Sequence, residues 1–97
     1  MAEAQIANTL YKNALNSLNK AEKINPNISE IYFAKSNVFL KISQLQNARA
    51  ALETGLKIEP NNHKAIFQLG NILLMEKNHL EAIILFDKAI KLSLIHI

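Results

Sequence analysis

The chain has 97 residues, close to half of them apolar, with two glycines, two prolines and neither cysteine nor tryptophan. That bounds it to one small domain, favours a helical globular chain over disorder, and excludes disulfides, thiolate nucleophiles and zinc–thiolate sites. The formal charge of +3 comes from lysines interleaved with Glu and Asn rather than gathered into a stripe, which argues against nucleic acid as a partner. No run of eighteen apolar residues exists, and Met1-Ala2-Glu3-Ala4 does not open a signal peptide, so no membrane contact is expected and the cytoplasm is the favoured compartment.

In chain order, Ile6, Leu10, Ala14, Leu18, Ala21 and Ile24 form a stripe at three- and four-residue spacing. This predicts one long helix over the first 25 residues, with a break near Asn8-Thr9 as the variant reading, and Pro26 ends it. Asn27 is expected to cap the next helix, at about 28–42, with Glu30 completing a capping box. The apolar residues of that helix go almost all the way round it, which predicts burial on more than one side. Ser43-Gln44 is read as a turn into a helix at about 45–58, which stops before Pro60. Asn61-Asn62 then caps helices at about 62–76 and 79–92, joined at Lys77-Asn78.

These elements recur. Pro26 and Pro60 are 34 residues apart (60 − 26), and Ala14, Ala48 and Ala82 keep the same offset. So do Leu18, Leu52 and Phe86; Ala21, Gly55 and Ala89; and Lys23, Lys57 and Lys91. A helix–turn–helix repeated at this period resembles the tetratricopeptide repeat. The resemblance covers essentially residues 10–92, and it implies an all-α, right-handed superhelical solenoid of antiparallel helix pairs, about two and a half repeats long. The implied division is a partial repeat over 1–28, repeats at 29–62 and 63–92, and a tail at 93–97. The middle unit departs from the family at Lys35-Ser36, where Leu-Gly is expected; the last unit supplies that pair as Leu69-Gly70. It departs in turn at His79, expected to pack its ring in the turn, and at Leu94, where proline is expected. Gly70, Ala82 and Ala89 are read as small residues that let two helices approach closely.

Little here points to catalysis. His63, His79 and His96 have no metal-ligand spacing, the carboxylates mark no cleft, and Gly55 and Gly70 stand singly rather than in a phosphate-cradling loop. No metal, cofactor or enzymatic activity is expected. A surface remains. The resemblance places Glu30, Phe33, Asn37, Leu40 and Lys41, then Lys64, Phe67, Asn71, Leu74 and Met75, along a concave groove. Their spacing does align them on one stripe of each helix. Two outward carboxamides could fix a peptide backbone while Phe, Leu and Met bury its side chains. The alternative is that the same residues pack against a flanking helix. Phe33 and Phe67 stand where family members that clamp a chaperone's C-terminal carboxylate carry lysine, so that variant is not expected.

The resemblance implies a protein- or peptide-binding scaffold; the alternative is an accessory segment of a longer enzyme, such as a transferase. A third reading, an RNA-binding helical repeat, needs recurring basic residues on one face, and only Lys23, Lys57 and Lys91 recur, late in their helices where cations suit the dipole. Leu92-Ser93-Leu94-Ile95-His96-Ile97 back-translates to CTG TCT CTT ATA CAC ATC, which resembles a transposase adapter used in sequencing libraries. Those six residues are therefore read as non-native read-through of a fragment, with a natural hydrophobic tail as the other reading. Apolar stripes left uncovered at both ends are expected to promote self-association.

Overall fold

The computed structural model describes residues 2–95, with side chains described from Ala7 onward. Five helices follow one another: α1 (Ala2–Ile24), α2 (Ser29–Lys41), α3 (Leu45–Ile58), α4 (His63–Met75) and α5 (His79–Ile95). Each packs mainly on its chain neighbours: α2 with α3 and α4 with α5 as tight antiparallel pairs, α1 with α2 and α3 with α4 more lightly. The result is an all-α, right-handed solenoid of helix pairs.

Small residues let the pairs close. Ala48, Ala82 and Ala89 are buried, and so are Gly55 and Gly70. A Cβ on Gly55 would lie 2.5 Å from Cε1 of Phe33, and one on Gly70 would lie 2.7 Å from Cε1 of Phe86, so in each pair an aromatic ring rests directly on the facing backbone. Between the pairs, Ala48, Leu52, Ala65 and Ile72 form the core, with Phe33, Phe39, Leu40, Leu56 and Leu69 packed against it. Because α2 lies between α1 and α3, its nearly all-round apolar pattern is accounted for.

Both turns inside the pairs are Schellman motifs in the same register. Ser43 N–H donates to Leu40 O at 3.1 Å and Gln44 N–H to Phe39 O at 2.8 Å; Lys77 N–H donates to Leu74 O at 3.0 Å and Asn78 N–H to Leu73 O at 2.8 Å. The residue at C′ must be left-handed, and it is: Ser43 has φ 62° and Lys77 φ 66°. Counting back one period from Ser43 gives Thr9, a β-branched residue strongly disfavoured at positive φ. No turn forms there, and α1 runs unbroken through Asn8-Thr9. The side chain of Ile6 and residues Met1, His96 and Ile97 lie outside the described residues.

Four local expectations are corrected. Asn27 does not cap α2: the N-cap is Ile28, without a side-chain bond, and Asn27 N–H donates to Asn25 Oδ1 at 3.0 Å in the preceding turn. The helix starts at Ser29, so Asn27 stands one residue too early to reach its free N–H groups. At the next entry Asn62 alone caps, accepting from Ala65 N–H at 3.1 Å. His79 begins α5 exposed to solvent rather than packing in the turn. The last helix also passes residue 92 and runs to Ile95, because Leu94 can continue a helix where Pro26 and Pro60 cannot.

Candidate functional site

The ten residues expected along the groove come from α2 and α4, which are the first helices of their pairs and both pack on α3. Phe33, Asn37 and Lys64 are brought together around one cavity of about 300 Å³, with Leu52, Asn62, Ala65 and Gln68. Lys64 and Phe67 also border a second cavity of about 330 Å³, walled by His63, Ala89, Ile90, Ser93 and Leu94. Glu30, Leu40, Lys41, Asn71, Leu74 and Met75 line neither. Glu30, Lys41, Leu74 and Met75 are exposed, whereas Leu40 packs on the core and Asn71 is half-buried. Only Asn37 of the two carboxamides is therefore fully presented.

The repeated pair Phe33 and Phe67 has two different settings. Phe33 faces Gly55, so its ring seats on the α3 backbone and is half-buried. Phe67 shares its cavity with Ala89 instead, lies with its ring 5.1 Å from that of Phe86, and stays 48 % exposed. An apolar ledge of Phe67, Leu74 and Met75 therefore stands open on α4, while on α2 the counterparts Phe33 and Leu40 pack against the core and the third, Lys41, is charged and exposed.

Gln68 and Asn62 belong to the first cavity and were missed from the sequence. Gln68 sits one turn beyond Lys64 on the same face, but its counterpart one unit earlier is Ala34, so no repeated polar signal marked it. Lys35, which breaks the family pattern, turns out to be tied to Glu22 of α1 by a partly buried ion pair. Ser36 beside it is 0 % exposed with no partner for its hydroxyl. Among the described residues no group of three or more His, Cys, Asp or Glu could hold a metal ion, and no helix is long and apolar enough to cross a membrane. The two cavities combine apolar walls with the amides of Asn37, Asn62 and Gln68 and the ammonium of Lys64.

Comparison with known proteins agrees with the fold of paired helices. The chain is similar to the solved structure of MamA from Desulfovibrio magneticus RS-1, with 22% identity and a TM-score of 0.81, covering 93% of this chain and 50% of that one. It is likewise similar to MamA MSR-1 C2 (22% identity, TM-score 0.82, 96% of this chain and 52% of that) and to a further MamA crystal structure (24% identity, TM-score 0.79, 86% and 48%). This chain thus spans about half the length of these structural neighbours, and at such identity the likeness is one of fold. No curated protein matches it. The family model for the tetratricopeptide repeat matches residues 29–62 and 63–96, more than half of the chain and in the register of the two helix pairs. The chain belongs to the tetratricopeptide repeat family.

Proposed function

We propose that this protein binds an extended or helical peptide along the face shared by α2 and α4, and that it performs no chemistry on it. Members of this family generally serve as protein-interaction scaffolds, and the fold here is of that kind. The observation that carries the reading is the first cavity: Asn37 of α2 and Lys64 and Gln68 of α4 converge on it from two different repeats. Asn37 and Gln68 each offer a donor and an acceptor to a peptide backbone, and Lys64 adds a positive charge at the rim. Phe67, Leu74 and Met75 extend the same face with exposed apolar surface for the ligand's side chains.

The test is selection of binders from a randomised peptide display library on the full chain, followed by variants. Asn37→Ala should weaken the selected peptides several-fold, since a neutral hydrogen bond is worth about 1 kcal/mol, while the melting temperature moves little; Phe67→Ala should weaken them by removing apolar contact and should also lower the melting temperature, because it releases the ring of Phe86. Selected peptides that bind both variants as tightly as the parent would refute the groove.

A further inference from the structure

Two positions on the second helix of every unit stay exposed to solvent. They are Lys12 and Asn16 on α1, Gln46 and Ala50 on α3, and Leu80 and Ile84 on α5. The first two helices carry polar or small residues there. On α5 both are large and aliphatic, 79 % and 65 % exposed, and they lie one turn apart on one face. A following helix does not account for them, because α2 follows α1 and α4 follows α3, and each leaves the same two positions bare.

Ile84 also borders a cavity of about 380 Å³ that shares no residue with the two cavities of the groove side. Leu69 and Leu73 of α4 and Leu85 of α5 give it an apolar lining. Its charged residues are Arg49 and Glu53 of α3 and Glu81 of α5. Arg49 is already committed: Nη1 lies 2.9 Å from Glu76 Oε1, and Nε lies 3.6 Å from Glu53 Oε1. Glu81 is exposed and makes no ion pair among the described residues, so this cavity is acidic in a chain of formal charge +3. One period earlier Asn19 and Asn47 stand in place of the two glutamates, and Lys35, tied to Glu22, stands in place of Leu69. The apolar lining and the acidic rim therefore occur together only where α3 and α5 meet α4.

We infer that this face of α3 and α5 docks an amphipathic helix of another protein, one that carries large aliphatic side chains on one stripe and lysine or arginine beside it. The aliphatic side chains cover Leu80 and Ile84 and enter the cavity over Leu69 and Leu73, and the cation meets Glu53 and Glu81. The cation belongs at the Glu81 end, because Lys88 lies one turn beyond Ile84 at the other. A second copy of the chain meeting this one through the same face would set Glu53 and Glu81 against themselves, which like charges oppose. None of the ten residues expected along the groove lines this cavity.

Two synthetic helical peptides serve as probes. Both carry leucines at i and i+4; one flanks them with lysines, the other with glutamates at the same positions. Amide chemical shifts of the full chain should move around 49–53 and 80–85 with the lysine peptide, and the glutamate peptide should bind about tenfold more weakly. Glu81→Lys, which breaks no ion pair, should erase that preference. Leu80→Gln with Ile84→Ala, which places the residues of α3 on α5, should weaken the lysine peptide about tenfold and leave the fold intact, since both side chains are exposed. Equal binding of the two peptides, binding of neither, or shifts confined to α2 and α4 overturns the proposal. Sedimentation of the chain alone decides the occupant: self-association abolished by the Leu80→Gln and Ile84→Ala pair would make a second copy the occupant and overturn the assignment to another protein.

Discussion

Gly70 is the position where the packing of the last pair can be tested most sharply. Replacing it by alanine has two opposed effects. Alanine is better than glycine in a helix interior by about 0.8–1 kcal/mol. Against that, the new methyl would sit 2.7 Å from Cε1 and 2.9 Å from Cδ1 of Phe86, so the ring must move off the α4 backbone. Phe86 is also held by Phe67, 5.1 Å away, so its motion disturbs a second ring. Overpacking of this kind costs about 1–3 kcal/mol, and the clash wins. Gly70→Ala should therefore lose about 1 kcal/mol, lowering the melting temperature by about 4–8 °C in a domain of this size. The middle unit indicates the remedy: its counterpart of Gly70 is Ser36, which carries a Cβ, and its counterpart of Phe86 is Leu52. In a Phe86→Leu background the same Gly70→Ala change should be stabilising by about 1 kcal/mol, since the propensity gain survives and the clash does not. The double-mutant cycle, measured by urea unfolding, should thus show a coupling of about 2 kcal/mol. Stabilisation by Gly70→Ala alone, or the same effect in both backgrounds, would refute the reasoning.

Other outcomes follow from single features. Ser36→Ala removes a buried hydroxyl without a partner and should raise stability by about 1 kcal/mol in thermal melts. Ser43→Gly or Lys77→Gly relieves a left-handed residue at C′ and should gain about 0.5–1 kcal/mol each by urea midpoint, whereas Lys77→Val should lose more than that. Leu18 and its neighbours Ala14 and Ala21 are half-exposed on α1, although their counterparts Ala48, Leu52 and Gly55 are buried. We expect self-association through this stripe, so Leu18→Glu should shift sedimenting dimers to monomer; dimers unchanged by the substitution would place the contact elsewhere.

Much of the fold is written in the 34-residue period, because close helix packing needs the same small and large residues at each recurrence. The helix ends set by Pro26 and Pro60 were legible for the same reason: proline stops a helix whatever surrounds it. The cap at Ile28 was not, since choosing between Asn27 and its neighbour depends on where the first helical turn closes. Nor could repetition reveal that Phe33 turns into the core while Phe67 stays open. That difference is made across the pair, by Gly55 against Ala89 and by Phe86 against Leu52, and it appears only when facing positions are compared together. The departure at Lys35 was visible as a broken pattern, but its explanation, Glu22, lies on another helix. The groove divides in the same way: its stripe of side chains was readable from helical spacing, while Gln68 had no counterpart to mark it.

The most direct measurement is a map of amide chemical shifts on the full chain as a library-selected peptide is added. The account predicts perturbations concentrated at Phe33 and Asn37 on α2 and at Lys64, Phe67 and Gln68 on α4, with α1 and the outer face of α3 unchanged. Shifts centred on α1 or on the α5 face around Ile83 and Ile90, with the α2–α4 face silent, would contradict it.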